Sequence, residues 1–383
     1  MTEKPLINYG LEGVYVDESA ISKVDGQNGR LWYRGYTIED LAERSNFEEV
    51  SYLLIYGKLP TKKEYEEFTK KLKERREIAT EVKNLIKIMA PVAHPMDVIR
   101  TATSMLAMYD EDPNNKDIEA TTDKIITLIA KISTIAAATG RFRERKKYIP
   151  PDNSLGHSEN FLYMLTGKKP NKFESKLIDL MFILHAEHST NASTFSVLVT
   201  ASTLADVYSA TTTGIGTLKG PLHGGADEAA LSMINAIGDP DNTEKYIEEA
   251  LEGKQRIMGF GHRVYKTYDP RAKLVRSYLE ESLTKEPSDE VRRLLQIALR
   301  AEKLMIDKLG KSKGIWPNID FFAGPLYRVL GIEGQMFTPI FVASRMAGWG
   351  SHIVEYWHNN KLVRPLEWYN GALNLRYVPL EDR

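Results

Sequence analysis

Helix-forming segments that follow one another almost without interruption are the feature that most limits how this chain can fold. Thr37 to Asp40 and Thr61 to Glu64 are typical helix starts, and Gly57 is placed to end a helical segment from Glu48 to Tyr56. The same alternation of helical segments with Pro or Gly continues towards the C-terminus, without strand–helix–strand repeats. The sequence therefore predicts a mainly α, multi-helical fold and not a parallel α/β sheet.

A short β region near the N-terminus is the one exception to this pattern. Gly13 to Val16, Ala20 to Val24 and Arg30 to Arg34 are predicted strands around the turn signals Asp25-Gly26 and Asn28-Gly29. We expect these strands to form a small antiparallel unit in front of the helices.

Charge and composition exclude several classes of function. The chain has 383 residues, with 51 Lys and Arg against 52 Asp and Glu, so it lacks the basic excess typical of nucleic-acid binders. It contains no cysteine, which excludes disulfide scaffolds, thiolate zinc sites and cysteine nucleophiles. Only four glutamines stand beside many Lys, Arg and Glu, a composition that favours a thermophilic source.

The sequence also indicates where the protein works. No apolar run follows Met1, so we expect no signal peptide. The longest nearly uncharged stretch, Thr190 to Leu218, is rich in Ser and Thr and suits a buried helix pair or a subunit interface better than a membrane span. We therefore expect a cytoplasmic protein with neither membrane nor nucleic-acid partners.

Two isolated charges stand in apolar surroundings. Asp320 is the only charged residue between Lys313 and Arg328 and has aromatic neighbours. Burial would raise the pKa of such a carboxyl and suit it as a general base, although a helix-capping aspartate explains the same pattern. Arg345 is likewise the only charge in an apolar helical run. A buried guanidinium needs an anion, which is either a distant carboxylate of the chain or a ligand carboxylate.

Two more candidates stand at predicted helix starts. Arg271 follows Asp269-Pro270, where a helix N-terminus attracts anions; pairing with Asp269 is the structural alternative. His223 lies in a glycine-rich turn, residues 220–225, directly before a helical segment. The helix dipole disfavours imidazolium there, so a neutral, hydrogen-bonding imidazole is one interpretation and a histidine packed for shape is the other.

Gly259 to His262 forms a glycine loop flanked by basic residues. It lacks the third glycine of the dinucleotide fingerprint, and no strand precedes it, so a Rossmann site is excluded. Backbone N–H groups of such a loop can hold phosphates, although a flexible surface loop has the same composition.

His185 and His188 share a helix face, but no further ligand completes a metal site, which favours a core or substrate-binding histidine.

The order and spacing of these segments resemble the citrate synthase family, and the similarity runs from about Gly10 to the C-terminus. The sequence departs from the family pattern at Glu187, Ser189, Phe322 and Ala323, changes that bear on acyl or keto-acid preference. The matching segments are Gly220 to Gly225, Gly259 to Arg271, Pro317 to Gly324, Ser344-Arg345 and Leu362 to Pro365.

The resemblance implies an acyltransferase that converts its acyl group to an alkyl group on transfer. Acetyl-CoA, oxaloacetate and water would give citrate and CoA. Asp320 would remove a methyl proton from acetyl-CoA, His223 would stabilise the enol or enolate, and His262 would act as the acid on the oxaloacetate ketone. The CoA thioester is a substrate, so we expect no separate cofactor and no metal.

The resemblance also implies which residues bind the substrates. The oxaloacetate or citrate carboxylates would be bound by His188, Arg271, Arg345 and Arg364, the last contributed by the other subunit of a homodimer. CoA would be bound by Arg256, Ile257, Met258, Gly259, Phe260, Gly261 and Lys266, with Lys313 as a further phosphate ligand.

By the same resemblance, the chain has two helical domains. Residues 1–224 and 332–383 would form the large, dimerising domain, and residues 225–331 a smaller inserted domain that carries His262, Arg271 and Asp320. Domain closure would then assemble the site.

A 2-methylcitrate synthase using propionyl-CoA, or an enzyme of dual specificity, is the alternative, because one methylene is worth only about 1–3 kcal/mol of discrimination. A non-enzymatic helical scaffold is a further alternative.

Overall fold

The computed structural model describes residues 4–383 and opens with a small antiparallel sheet in the order β1-β2-β3. The strands are β1 (Ser22–Asp25), β2 (Arg30–Tyr33) and β3 (Tyr36–Thr37). The predicted N-terminal β region is thus confirmed. The strand expected at residues 13–16 was wrong: this segment is exposed and irregular, since no neighbouring strand pairs with its backbone.

The first part of the helical body follows the sheet. Its helices are α1 (Ile38–Arg44), α2 (Phe47–Tyr56), α3 (Lys62–Glu74), α4 (Thr80–Met89), α5 (Pro95–Met105), α6 (Ile118–Arg143), α7 (His157–Thr166), α8 (Lys172–His185), α9 (Ala192–Ser202) and α10 (Val207–Leu218). Their ends follow the local signals: Thr37 caps α1, Thr61 forms a capping box on α3, and Gly57 ends α2 in the left-handed region, with φ of 76°.

The second part of the body carries most of the candidate site residues. Its helices are α11 (Ala226–Ile237), α12 (Thr243–Glu252), α13 (Pro270–Leu283), α14 (Asp289–Met305), α15 (Lys311–Lys313), α16 (Ile319–Val329) and α17 (Phe337–Trp357). The helices from α11 to α16 pack mainly on one another, with α11, α13 and α14 all in contact with α16. The chain ends in an extended, largely exposed segment, residues 359–383.

Helices α6 and α17 form the centre of the molecule and pack against each other. They approach closely at Gly350, where an added Cβ atom would collide with the side chain of Ile125. By length and composition α6 could cross a membrane, but 78% of its apolar window is buried inside the molecule. We therefore interpret α6 as a core helix.

Contacts between the two groups of helices set the position of the site. Helix α13 touches α1 and α8, α11 touches α17, and the turn after β1 binds the segment before α13 through a hydrogen bond from Lys266 N to Gly26 O at 2.9 Å. Most of the predicted site residues lie just after α8, in the turn between α10 and α11, in the loop before α13, in the first turns of α13 and α16, and within α17.

Candidate active site

His188, just after α8, lies among the residues singled out by the sequence. Its ring centre is 5.5 Å from that of His262. Burial is the main reason why its pKa lies well below the ordinary value, so the imidazole is neutral near pH 7. The positive charges of Arg271 and Arg345 act in the same direction. Segments far apart in sequence therefore meet around one neutral histidine.

His262 has a defined tautomer. Its Nδ1 atom accepts two backbone N–H groups, from Val264 at 3.0 Å and from Tyr265 at 3.2 Å. An atom that accepts two N–H groups carries no proton, so the proton of the neutral ring lies on Nε2. Burial, reinforced by the charge of Arg271, lowers the pKa of His262 to about 4. At neutral pH this side chain is an uncharged hydrogen-bond donor.

Asp320 lies in the first turn of α16, where its carboxylate makes no hydrogen bond or ion pair with residues 4–383. Burial raises its pKa to about 6, and the charge of Arg271 partly opposes the rise. A free carboxylate with a pKa near neutrality suits proton abstraction.

A short backbone ladder joins the segments that carry His262 and Asp320. Gly261 N donates to Trp316 O at 2.8 Å, and Asn318 N donates to Gly259 O at 2.9 Å. Gly259 has φ of +78°, and a Cβ atom there would lie 2.7 Å from the Cα of Phe321. Glycine is required at this position on both counts.

Asn318 is a site residue that the sequence reasoning missed. Its Nδ2 donates to Gly261 O at 2.9 Å, and its Oδ1 accepts the backbone N–H of Asp320 at 3.0 Å. One signal was present, because an asparagine at this place is a typical helix cap. The bond from Asn318 to Gly261 O spans 57 residues, so no local sequence pattern indicates it.

His223 lies in the predicted turn between α10 and α11, and its Nε2 is 2.8 Å from Ser193 Oγ. Ser193 Oγ also lies 2.8 Å from Asn191 Oδ1 and 3.3 Å from Trp349 Nε1. The indole can only donate, and the serine gives its single proton either to Asn191 Oδ1 or to His223 Nε2. When it points to His223, the histidine carries its own proton on Nδ1. Burial, followed by the charge of Arg345, lowers the pKa of His223 to about 4.

Ser193 was also missed at the sequence level. It lies in a stretch rich in Ser and Thr, where nothing local distinguishes it from its neighbours. Its importance comes from the long-range contacts with His223 and Trp349.

Arg271 forms an ion pair with Asp269, which was the alternative to a role in anion binding, and this pair is buried. The guanidinium donates through Nε at 3.1 Å and through Nη2 at 2.8 Å to the two carboxylate oxygens. Burial disfavours the cation, but Asp269, supported by Tyr265 and Tyr33, outweighs this effect and raises the pKa of Arg271 above its ordinary value. Asp269 Oδ2 also accepts the N–H of Ile319 at 3.3 Å, which ties α13 to α16.

Arg345 is only 1% exposed and forms no ion pair within residues 4–383. Its Nε donates to His185 O at 2.6 Å, its guanidinium carbon lies 4.7 Å from the ring centre of Phe341, and its Nη1 has no partner in the described chain. Burial lowers its pKa to about 10, partly opposed by Glu187, which is itself bonded to His352. Of the two possible anions, a ligand carboxylate is favoured.

The remaining predicted residues lie outside this cluster. Arg364 is exposed on the C-terminal segment and donates to Pro365 O at 3.3 Å, so within one chain it does not reach the pocket. In the predicted CoA segment the apolar members Ile257 and Phe260 are buried, Met258 and Gly261 are half-buried, and the cations are exposed, namely Arg256, Lys266 and Lys313. His185 bonds Met181 O at 2.9 Å, and residues 4–383 contain no group of three or more His, Asp or Glu placed to hold a metal ion.

The fold and the candidate site together define a mainly helical protein in which buried arginines lie beside neutral histidines. Known proteins give the family. The family model "Citrate synthase, C-terminal domain" matches residues 10–366. The citrate synthase of Synechocystis sp. is 44% identical over 383 residues, which cover 100% of this chain and 96% of that protein. 2-Methylcitrate synthase 1 of Corynebacterium glutamicum is 41% identical, with 98% of each chain covered.

A solved structure agrees with the sequence relatives. It is a ternary complex of citrate synthase from the thermophilic archaeon Thermoplasma acidophilum with carboxymethyl coenzyme A and oxaloacetate. The match has a TM-score of 0.93 and 35% identity, and it covers 99% of this chain and 100% of that one. This chain belongs to the citrate synthase family.

Proposed function

We propose that this chain condenses acetyl-CoA with oxaloacetate and water to give citrate and CoA. One observation carries the proposal: the unbonded carboxylate of Asp320, with its pKa raised to about 6, feels the charge of Arg271, which also acts on the neutral rings of His188 and His262. Arg345 acts on His188 as well, and its buried guanidinium has no ion-pair partner among residues 4–383. This arrangement suits carbanion chemistry on a substrate that brings its own negative charges.

The first step is removal of a proton from the methyl group of acetyl-CoA. Asp320 accepts the proton, and the electron pair of the C–H bond moves to form the enol or enolate. His223 donates a hydrogen bond from Nδ1 to the thioester oxygen while the Ser193 hydroxyl donates to its Nε2. A neutral imidazole serves here because burial keeps the pKa of His223 near 4.

The second step forms the new carbon–carbon bond. The methyl-derived carbon attacks the ketone carbon of oxaloacetate, and the ketone oxygen takes the proton from His262 Nε2. The bonds at Nδ1 make Nε2 the donor atom. Water then hydrolyses the citryl thioester, which releases citrate and CoA.

Oxaloacetate is a dianion, and its two carboxylates would pair with the buried cations of the site. Arg345 supplies an unpartnered Nη1, and His188 supplies a neutral ring beside it. Arg271 keeps its pair with Asp269 and so brings a positive charge in a fixed orientation.

CoA binding is proposed for the loop from Arg256 to Lys266. The buried Ile257 and Phe260 anchor the loop, while the exposed Arg256 and Lys266 provide cations for phosphates. Lys313 joins this group because Gly314, its neighbour, lies against the Lys266 carbonyl.

A homodimer is proposed from the two terminal segments. In one chain Tyr15 is 97% exposed and Leu366 is 88% exposed, and other apolar side chains of these segments are similarly open. Covering such side chains with a second copy is favourable by about 25 cal/mol per Å². Arg364 lies on the same C-terminal segment, which supports its delivery into the partner's pocket.

Two domains that close on the substrates are part of the same proposal. The mutual packing of α11 to α16 supports a small domain at residues 225–331, as does the backbone ladder under His262 and Asp320. Closure would exclude water from the enolate.

The cytoplasmic location and the thermophilic source stay predictions from composition.

The direct test is release of free thiol from acetyl-CoA. We expect release only when oxaloacetate is present, with citrate formed in equal amount, and no effect of a metal chelator. Thiol release at the same rate without oxaloacetate would reject the condensation and leave only a thioesterase.

A 2-methylcitrate synthase is the second candidate, supported by the 41% identity to the Corynebacterium glutamicum enzyme. The two candidates differ by one methylene, worth about 1–3 kcal/mol. Initial rates with acetyl-CoA and propionyl-CoA at matched concentrations discriminate between them, and we expect acetyl-CoA to be preferred.

A further inference from the structure

Tyr265 contacts both histidines that face the proposed keto-acid site. Its backbone N–H donates to His262 Nδ1 at 3.2 Å, and its hydroxyl oxygen lies 3.1 Å from His188 Nε2. The side chain is only 3% exposed, and its ring centre is 4.9 Å from that of His262 and 5.6 Å from that of His188. No sequence signal pointed to this residue.

The direction of the bond to His188 follows from counting protons. Burial raises the pKa of Tyr265, so the hydroxyl keeps its proton, and the buried His188 ring carries a single proton. Within residues 4–383 the hydroxyl has no acceptor other than His188 Nε2. A buried donor left without an acceptor costs about 1–3 kcal/mol. His188 Nδ1 is not among the fully buried unpartnered atoms of the described chain, so a proton there can be solvated, whereas the tyrosine proton has only Nε2 to bind. The tyrosine therefore donates to Nε2. The histidine proton is then on Nδ1, which makes no hydrogen bond with the described chain.

We propose that Tyr265 is a positioning residue for oxaloacetate, whose hydroxyl holds His188 as the Nδ1–H tautomer and thereby reserves that N–H for a substrate oxygen. Its backbone N–H, together with that of Val264, holds His262 as the opposite, Nε2–H tautomer. One residue thus sets two histidine donors that serve the same small dianion. The proposal rests on the proposed function for the identity of the substrate, but the tautomer itself does not depend on it.

The test removes only the hydroxyl, with Tyr265→Phe. We expect KM for oxaloacetate to rise about tenfold, while kcat and KM for acetyl-CoA at saturating oxaloacetate stay within about threefold, because ground-state binding is lost. Tyr208→Phe is the matched control. Tyr208 is a buried tyrosine whose hydroxyl bonds Asp110 at 2.8 Å, outside the pocket, and its variant should keep both constants.

Nitrogen-15 NMR of the ligand-free protein provides a second, independent readout. The His188 signal, identified by its loss in His188→Gln, should show a protonated Nδ1 and an unprotonated Nε2 at pH 7, and a mixture of tautomers in Tyr265→Phe. A protonated Nε2 in the parent protein would overturn the assignment, as would an unchanged KM for oxaloacetate in Tyr265→Phe. If that variant does not fold, the parent spectrum decides alone. If the parent protein lacks oxaloacetate-dependent thiol release, the proposed function fails while the tautomer is still tested.

Discussion

Asn318 caps helix α16, and its Oδ1 accepts the backbone N–H of Asp320, in the first turn of that helix, at 3.0 Å. The other end of the same amide donates to Gly261 O at 2.9 Å, directly before His262. One side chain therefore sets the spacing between the proposed base and the proposed acid.

Asn318→Ala should lower kcat by about 10–100-fold, because small misplacements of reacting groups are costly in rate. Asn171→Ala is the matched control: Asn171 caps α8 by accepting from Phe173 N and Glu174 N, away from the pocket. Loss of the cap should cost each variant about 0.5–2 kcal/mol by thermal or denaturant unfolding, and Asn318→Ala should lose more because it also gives up the bond to Gly261 O. Asn318→Ser, which keeps a capping hydroxyl but cannot replace the Gly261 contact, should behave like the alanine variant in kcat. Normal kcat in both Asn318 variants would contradict the role.

The rate of condensation should depend on the ionisation of Asp320. The pKa of about 6 means that the group is protonated below this pH and available as a base above it. We expect kcat/KM for acetyl-CoA to fall about tenfold per pH unit below pH 6, since the histidines titrate lower, with pKa values near 4 for His223 and His262.

Asp320→Asn should remove this acid limb together with most of the activity. A loss of about 10²–10⁴-fold is expected for a general base, with oxaloacetate binding retained in calorimetry. Near-normal turnover in this variant would show that another group takes the proton.

Arg345→Gln should separate substrate binding from stability. Hydrogen bonds to charged groups are worth about 1.5–3 kcal/mol, so KM for oxaloacetate should rise about 10–100-fold or more. The melting temperature of the ligand-free protein should change little, because the loss of the bond from Nε to His185 O is offset by removal of a buried charge that has no ion pair among residues 4–383. A large drop in melting temperature with an unchanged KM would assign Arg345 to the core and not to the substrate.

Asp179 offers a test outside the pocket. Burial, and then the nearby Glu48, raises the pKa of Asp179 to about 7. The folded state thus binds this proton more tightly than the unfolded state, where the pKa is about 4. The contribution of Asp179 to stability therefore falls as the pH rises from about 4 to about 7.

Asp179→Asn removes this ionisation but keeps an acceptor for Phe47 N and Ser158 Oγ, now at 3.2 and 2.8 Å. We expect the variant to melt about 2 °C or more above the parent at pH 8 and to show no gain near pH 4. Calorimetry at the two pH values measures the difference. An equal shift at both would mean that ionisation is not the cause.

The sequence predicted the helical class and many helix ends, because these depend on neighbours within one turn. The capping box at Thr61 and the left-handed Gly57 are local, and both appeared as expected. The strand expected at Gly13 to Val16 failed for the opposite reason: a strand exists only where another strand bonds to it, and none does there.

The candidate residues were found through chemistry that the sequence displays, such as the lone charges at Asp320 and Arg345. The sequence also suggested a raised pKa for Asp320 and a neutral His223, but it gave no protonation state for His188 or His262. The pKa of His188 is set by burial and by charges from other helices, and the proton on His262 is placed by a turn closed only after folding.

What the sequence determined by itself is therefore the set of helices and the supply of reactive side chains, since both are written in local pattern. The tertiary structure decided how these side chains are used. It buried Arg345 without an ion-pair partner among residues 4–383, joined Asn318 to Gly261 across 57 residues, and placed Tyr265 against His188. Burial and long-range hydrogen bonds act over distance in space and not along the chain, and they convert ordinary residues into a site.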